Sequence, residues 1–173
     1  MRARILVVDD DQDILLGLEN RLTWMGHEPL TADNGDEGMR VIQRDEPDLV
    51  LLDIQLPGLS GFDILQQLRD KTDKERAGSD PGTVGLGPTD PPIIMLTAFG
   101  TIERAVQAMQ LGAVDFVTKP FTGEHLTVVI NKALSAISLR RQLHQLKQEV
   151  EDKHGSLVGV NTKLQAQLKI AKQ

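Results

Sequence analysis

The stretch ILVVDDDQDI, residues 5–14, places four apolar residues directly before three consecutive aspartates. A short run made only of Ile, Leu and Val is typical of a strand buried on both faces of a parallel sheet. Carboxylates resist burial, because water stabilises their charge and like charges repel one another. Asp9, Asp10 and Asp11 therefore predict either a helix cap or a site for a positively charged partner at the end of this strand.

Two further apolar runs, residues 49–52 and 93–96, predict two more central strands, and weaker strand patterns surround residues 29–31 and 115–117. Apolar side chains recur at helical spacing between these strands, around residues 14–22, 39–42, 64–68 and 102–109, and from about residue 122 onward. Repeated strand-then-helix order with short connections implies right-handed crossovers. We therefore expect an α/β fold over residues 1–121, a five-stranded, parallel, doubly wound (flavodoxin-like) sheet with helices on both faces.

Residues with complementary chemistry stand at the ends of four predicted strands. Asp9 and Asp10 follow the first strand, Asp53 the third, Thr97 the fourth and Lys119 the fifth. In this topology these ends open onto one edge of the sheet, where such folds bind ligands. Several carboxylates suit Mg²⁺, and a lysine with a hydroxyl suits the oxygens of a phosphoryl group.

Each of these residues also has an ordinary structural explanation when it is taken singly. Asp11 is best interpreted as the cap of the helix that follows it. Asp53 fits a turn at a strand end, Thr97 fits the interior of a strand, and Lys119 fits the surface. The convergence of five suitable groups at one edge is what favours a functional site.

The composition of the chain argues against several classes of function. Acidic residues outnumber basic ones 25 to 19, for a formal charge of −6, which argues against binding of this chain to nucleic acid or to anionic membranes. The chain has no cysteine, which excludes disulfides and thiolate metal sites. No apolar run reaches the length of a signal peptide or a membrane span. We expect a cytoplasmic protein with no membrane partner.

The stretches ILVVDD, DLVLLDIQLPGLSGFDIL, PIIMLTAFG and GAVDFVTKPF resemble, in this order, the receiver domain of two-component response regulators over residues 4–135. The resemblance implies that Asp53 accepts a phosphoryl group from a sensor histidine kinase. It also implies that Asp9, Asp10 and Asp53 bind Mg²⁺ together with the backbone carbonyl of Gln55. Such a domain is a regulatory phosphoacceptor rather than an enzyme with a dedicated substrate.

The same resemblance implies roles for residues near the end of the domain. Thr97 would bind a phosphate oxygen in the active state, and Lys119 would pair with the phosphoryl group. Phe116 matches an aromatic switch position whose ring turns inward on activation. The Lys119–Pro120 peptide is expected to be cis.

Alternative functions use some of the same residues. Asp9 and Asp11 form the D-x-D pattern with which haloacid-dehalogenase-like phosphatases begin, and Asp9 would then be the nucleophile. Asp13 disfavours this alternative, because those enzymes usually have Thr or Val at that position. A receiver coupled to a non-transcriptional output is a second alternative. A phosphate-binding P-loop and a glycine-rich dinucleotide turn are both missing from the sequence.

Two regions depart from a minimal receiver. Residues 78–92, GSDPGTVGLGPTDPP, hold four Gly and four Pro and predict a flexible surface insertion that does not cover the site. Residues 122–154 predict a fifth helix extended into a coiled-coil linker, because apolar residues recur at spacings of four, three and four. The four residues of this seam are Leu139, Leu143, Leu146 and Val150.

The seam predicts a homodimer through residues 138–153, the alternative being an amphipathic helix folded against its own domain. Residues 155–173 resemble the entry to the ATPase domain of sigma-54-dependent transcriptional activators, with Asn161 in place of the usual serine. This resemblance implies that the chain is the N-terminal regulatory part of such an activator. Contacts with DNA and RNA polymerase would then be made only by output domains absent from this chain.

Overall fold

The structure is a computed structural model that describes most of the chain. The described residues are 2–75, 91–98 and 101–139, together with Gln142 and Leu146. The chain divides into two compact units, residues 1–134 and residues 135–173. In the second unit, residues 135–139, Gln142 and Leu146 are helical.

Five strands alternate with helices in the predicted order. The elements are β1 (Arg4–Val8), α1 (Gln12–Trp24), β2 (Glu28–Ala32), α2 (Gly35–Asp45), β3 (Leu49–Asp53), α3 (Gly61–Glu75), β4 (Ile93–Thr97), α4 (Ile102–Gln110) and β5 (Asp115–Thr118). A fifth helix, α5, covers residues 123–139. All strands pair in parallel in one sheet with the order β2-β1-β3-β4-β5. The predicted fold class and the central position of β1, β3 and β4 are therefore confirmed.

Alternate side chains of the central strands enter two hydrophobic clusters, one on each face of the sheet. Leu6, Val8 and Leu52 pack with α2, α3 and α4. Ile5 and Val7 pack on the other face, with α1 and α5. Every residue of β3 and β4 is buried, as expected for strands covered by helices on both sides. This core fixes the ends of β1, β3 and β4 side by side.

Side-chain caps set where several helices begin. The Asn34 side chain accepts a hydrogen bond from the Glu37 N–H at α2, and the Thr101 side chain accepts one from the Arg104 N–H at α4. Gly26, with φ of +82°, turns the chain after α1 toward β2. These short connections keep each helix close to the strand that precedes it.

No helix within the described ranges combines the length and the apolar character that crossing a membrane requires. The predicted insertion at residues 78–92 lies outside the described residues, except for Pro91 and Pro92. The predicted coiled coil and the segment 155–173 also lie outside them, apart from residues 138–139, Gln142 and Leu146.

Candidate functional site

The end of β1 supplies three carboxylates in three different environments. Asp9 is fully buried, and its Oδ1 accepts a hydrogen bond from the Asp11 N–H at 3.1 Å. Asp10 is exposed. The Asp11 Oδ1 accepts hydrogen bonds from the N–H groups of Asp13 and Ile14, at 2.9 and 3.3 Å. Asp11 is thus the N-cap of α1, as its position in the sequence predicts.

The end of β3 supplies Asp53, which is 6% exposed. Its Oδ1 accepts a hydrogen bond of 2.7 Å from the Ile54 N–H, which also donates to the Leu96 carbonyl at 3.0 Å. Sequence reasoning did not find the contribution of Ile54. The group involved is a backbone N–H, which every residue except proline carries, so no residue type marks it.

Lys119, just after β5, joins the two buried carboxylates. Its Nζ lies 2.6 Å from Asp9 Oδ2 and 3.0 Å from Asp53 Oδ2. Its backbone N–H donates to the Thr97 carbonyl at 2.6 Å, which ties the residue to the end of β4. The Lys119–Pro120 peptide is cis, as expected. Lys119 is 110 positions from Asp9 and 66 positions from Asp53 in the sequence, so the fold brings distant residues together at one ammonium group.

Burial and ion pairing act in opposite directions on this cluster. Burial raises the pKa of the Asp9 carboxyl above its ordinary value, although the hydrogen bond from Lys119 favours the charged form. Burial alone would lower the pKa of Lys119, but its hydrogen bonds to Asp9 and Asp53, together with the negative charges of these two residues, outweigh burial and raise the pKa. Lys119 thus remains a cation at neutral pH.

The carboxylates fit a divalent cation. One oxygen from each of Asp9, Asp10 and Asp53 lies within 4.8 Å of the others. Three carboxylates and one ammonium leave a net charge of −2 when all are ionised, and oxygen ligands are those that Mg²⁺ prefers. The donor set and the charge therefore match the predicted metal.

The remaining predicted residues lie around this cluster. Thr97 is the fully buried last residue of β4. Gln55 is exposed and lies in the loop after β3. Phe116 is half-buried, packs against the cluster that contains Val8 and Leu52, and stands opposite Met95 in the register of β4 and β5. The hydrogen bonds of Lys119 join Asp9 and Asp53, and a carboxylate oxygen of Asp10 lies within 4.8 Å of theirs. Thr97, Gln55 and Phe116 lie on adjoining segments.

The raised pKa of Asp9 predicts how Asp9→Asn changes stability with pH. Below about 3.8, the ordinary value, this group contributes its full stability to the wild type, and the contribution is lost as pH rises through the raised folded-state pKa. The free energy of unfolding of the variant minus that of the wild type is therefore expected to increase as the pH rises from about 3.8 through the raised folded-state pKa, and to level off above it. Urea unfolding in EDTA at several pH values measures the difference. A difference that is flat or falls with pH contradicts the prediction.

Comparison with known proteins identifies the family. The family model for the response regulator receiver domain matches residues 5–131. The chain belongs to this family. The matched region contains every residue of the sheet except Arg4 and every residue of the cluster, so the resemblance drawn from the four sequence stretches is confirmed.

The relatives of this receiver include transcriptional regulators. The probable transcriptional regulator ycf27 of Pyropia yezoensis is 38% identical over 133 residues, which are 77% of this chain and 48% of the relative. The regulatory protein AtoC of Escherichia coli K12 is 30% identical over 145 residues, 84% of this chain and 28% of AtoC. The crystal structure of NtrX from Brucella abortus superposes with a TM-score of 0.69, over 85% of this chain and 30% of NtrX, and the two sequences are 34% identical. The receiver thus spans about half the length of its ycf27 relative.

Proposed function

We propose that this receiver accepts a phosphoryl group on Asp53 from a sensor histidine kinase. The observation that carries the proposal is the single ammonium of Lys119 shared between Asp9 and Asp53, at the edge of the sheet. A carboxylate nucleophile needs nearby positive charge, because negative charge accumulates on the transferring oxygens. The Ile54 N–H orients the acceptor carboxylate in advance.

In the proposed reaction an Asp53 oxygen forms a bond to phosphorus, while the bond from phosphorus to the donor breaks. The donor is the phosphohistidine of the kinase, or acetyl phosphate in an assay. Lys119 would then turn one of its N–H donors to a phosphoryl oxygen, and the Thr97 hydroxyl would bind another. The product carries additional negative charge at a site that already contains Asp9 and Asp10.

Asp9, Asp10 and Asp53, with the backbone carbonyl of Gln55, are the groups that would hold Mg²⁺. When bound, the metal would neutralise the charge of the carboxylates and of the phosphoryl oxygens. Only Asp10 of the three carboxylates is exposed, so it is the one that keeps contact with water.

We further infer that Thr97 and Phe116 transmit the phosphorylation signal. Thr97 is the last residue of β4, and its carbonyl accepts a hydrogen bond from the Lys119 N–H. Phe116 lies opposite Met95 in the register of β4 and β5. A movement of Thr97 toward the phosphoryl group would open space that the half-buried Phe116 ring could enter. The signal would then be a population shift of the face formed by α4, β5 and α5.

The experiment that tests the acceptor function is phosphorylation with a small donor. Acetyl phosphate with Mg²⁺ is expected to add one phosphoryl group to the wild-type chain, visible as a shift in intact mass. The same donor with EDTA is expected to add none. A chain that gains no phosphoryl group with Mg²⁺ refutes the proposal.

The proposed output is control of transcription by a longer protein. The names of the ycf27 and AtoC relatives support a regulatory output, and AtoC and NtrX each extend well beyond the matched region. We propose residues 155–173 as the start of a sigma-54-type ATPase domain, through which DNA and RNA polymerase would be reached. A receiver with a non-transcriptional output is the alternative, and the reading frame that follows Gln173 in the gene would distinguish the two.

We also propose a parallel homodimer through residues 138–153. Replacing both Leu143 and Leu146 by Asp is expected to give a monomer in sedimentation at tens of micromolar, because charges would enter the apolar seam. The matched control replaces Gln145 and Gln148 by Asp, at positions that the heptad pattern leaves outside the seam. Phosphorylation of Asp53 should be unchanged in both. A wild type that is monomeric with and without phosphodonor contradicts the dimer.

A further inference from the structure

The peptide group between Asp53 and Ile54 is hydrogen-bonded through its N–H and closely packed at its carbonyl. Its N–H side is the Ile54 N–H, which donates to Asp53 Oδ1 at 2.7 Å and to the Leu96 carbonyl at 3.0 Å. One hydrogen therefore orients the acceptor carboxylate and joins the end of β3 to β4. The direction of this N–H helps to set the position of Asp53 Oδ1, while Lys119 holds Oδ2.

The carbonyl side of the same peptide group faces Gly61, the first residue of α3. The Gly61 N–H donates to the carbonyl of the next peptide group, that of Ile54, at 3.1 Å and closes the loop between β3 and α3. A Cβ built on Gly61 would overlap the Asp53 carbonyl oxygen and lie 3.0 Å from Ile54 Cα. The neighbouring atoms belong to the backbone, so a side chain here must displace the peptide group itself.

A peptide group is planar, so its carbonyl and its N–H turn together. We propose that Gly61 is a positioning residue for the phosphorylation site. Its missing side chain lets the Asp53 carbonyl stay where it is, and this keeps the Ile54 N–H aimed at Asp53 Oδ1. The inference rests on the proposed function, because it assigns Gly61 a role toward Asp53 as the acceptor.

Gly35 provides a matched control at the other side of the same loop. A Cβ on Gly35 would overlap the Leu59 carbonyl oxygen, so Gly35→Ala also crowds a backbone carbonyl of the loop. The atoms nearest to it all belong to Leu59, not to the peptide group of Asp53 and Ile54. Gly17 in α1 is a second control, because a Cβ there meets no atom within 4 Å.

The test compares Gly61→Ala, Gly35→Ala, Gly17→Ala and the wild type as full chains. All are measured in sucrose, which favours the compact state, at a temperature where circular dichroism shows them folded. The readouts are the initial rate of labelling by acetyl phosphate with Mg²⁺, the Mg²⁺ dependence of the melting temperature, and hydrogen exchange of the Ile54 amide without metal.

Gly61→Ala is expected to be labelled about 10- to 100-fold more slowly than the wild type, because the reacting Asp53 carboxylate would be misplaced. Its Ile54 amide is expected to exchange at least about fivefold faster, and its response to Mg²⁺ to weaken. Gly35→Ala is expected to lose stability, but its Ile54 amide should stay protected. Its labelling rate should stay within about threefold of the wild-type rate, a smaller change than misplacement of the Asp53 carboxylate would cause. Gly17→Ala should match the wild type in every readout except a small gain in stability.

Three outcomes overturn the inference. Gly61→Ala could label at the wild-type rate with an unchanged Ile54 amide, or Gly35→Ala could lose labelling as severely as Gly61→Ala. Gly61→Ala could also stay unfolded in sucrose while Gly35→Ala folds, which would make Gly61 a folding residue. A wild type that is never labelled is a different failure, because it refutes the acceptor function before Gly61 is considered.

Discussion

Replacing Asp53 by asparagine is expected to abolish phosphorylation by acetyl phosphate. The amide keeps the size of the side chain and can still accept the Ile54 hydrogen bond, but it cannot act as a carboxylate nucleophile. Loss of a nucleophile typically lowers a rate by about 10³-fold or more. Intact-mass measurement over a time course should therefore show no phosphoryl group on Asp53→Asn under conditions that label the wild type completely.

Asp9→Asn is the informative control, because Asp9 is the nucleophile of the phosphatase alternative. In the receiver mechanism Asp9 binds Lys119 and metal, so its amide variant should still become labelled when the Mg²⁺ concentration is raised. The phosphatase mechanism predicts the reverse pattern. The position of Asp11 already disfavours it, since that side chain caps α1 rather than facing the carboxylate cluster. Labelling of Asp53→Asn together with loss in Asp9→Asn would exchange the two roles.

Mg²⁺ is expected to stabilise the folded chain. The metal-free cluster holds three carboxylates against one ammonium, and a cation that binds only the folded state removes this repulsion. At a hundred times the dissociation constant, linkage gives about 2.7 kcal/mol of added free energy of unfolding. Thermal unfolding with increasing Mg²⁺ measures the effect, and a melting curve that does not move refutes the metal site.

Asp10→Ala should weaken this response and raise the metal-free melting temperature, because it removes one of the repelling charges. Asp13→Ala is the matched control. It removes a carboxylate three residues away, in the first turn of α1, that is not among the carboxylates of the cluster. Asp13→Ala should keep the full response to Mg²⁺. An equal loss in both variants would point to general surface charge instead of a defined site.

The strands differ in how clearly the sequence predicts them, and their positions in the sheet explain why. β3 and β4 are buried along their whole length, so their sequences are almost entirely apolar. β2 lies at the edge and keeps Glu28, Pro29 and Thr31, which weaken the pattern. β5 lies at the other edge and contains Asp115. The strands with weak sequence patterns, β2 and β5, could still be predicted from the order of the elements, because alternating strands and helices permit few topologies.

The sequence predicts which residues form the site, but it does not predict the contacts between them. The topology rule brings Asp9, Asp53 and Lys119 to one edge from the strand ends alone. It does not say that one ammonium is shared between two carboxylates, since that depends on the length and path of one side chain. The hydrogen bond from Ile54 and the close approach of Gly61 are backbone properties, and only the folded chain shows them.

The most direct test of the account is to locate the phosphoryl group. Trypsin separates the two candidate nucleophiles, because cleavage after Arg4 and Arg21 releases Asp9 in residues 5–21, and cleavage after Arg44 and Arg69 releases Asp53 in residues 45–69. The wild-type chain treated with acetyl phosphate and Mg²⁺ should carry one phosphoryl group on residues 45–69, assigned to Asp53 by fragmentation and removed by hydroxylamine as an acyl phosphate. A phosphoryl group on residues 5–21, or on any side chain other than Asp53, would contradict the account.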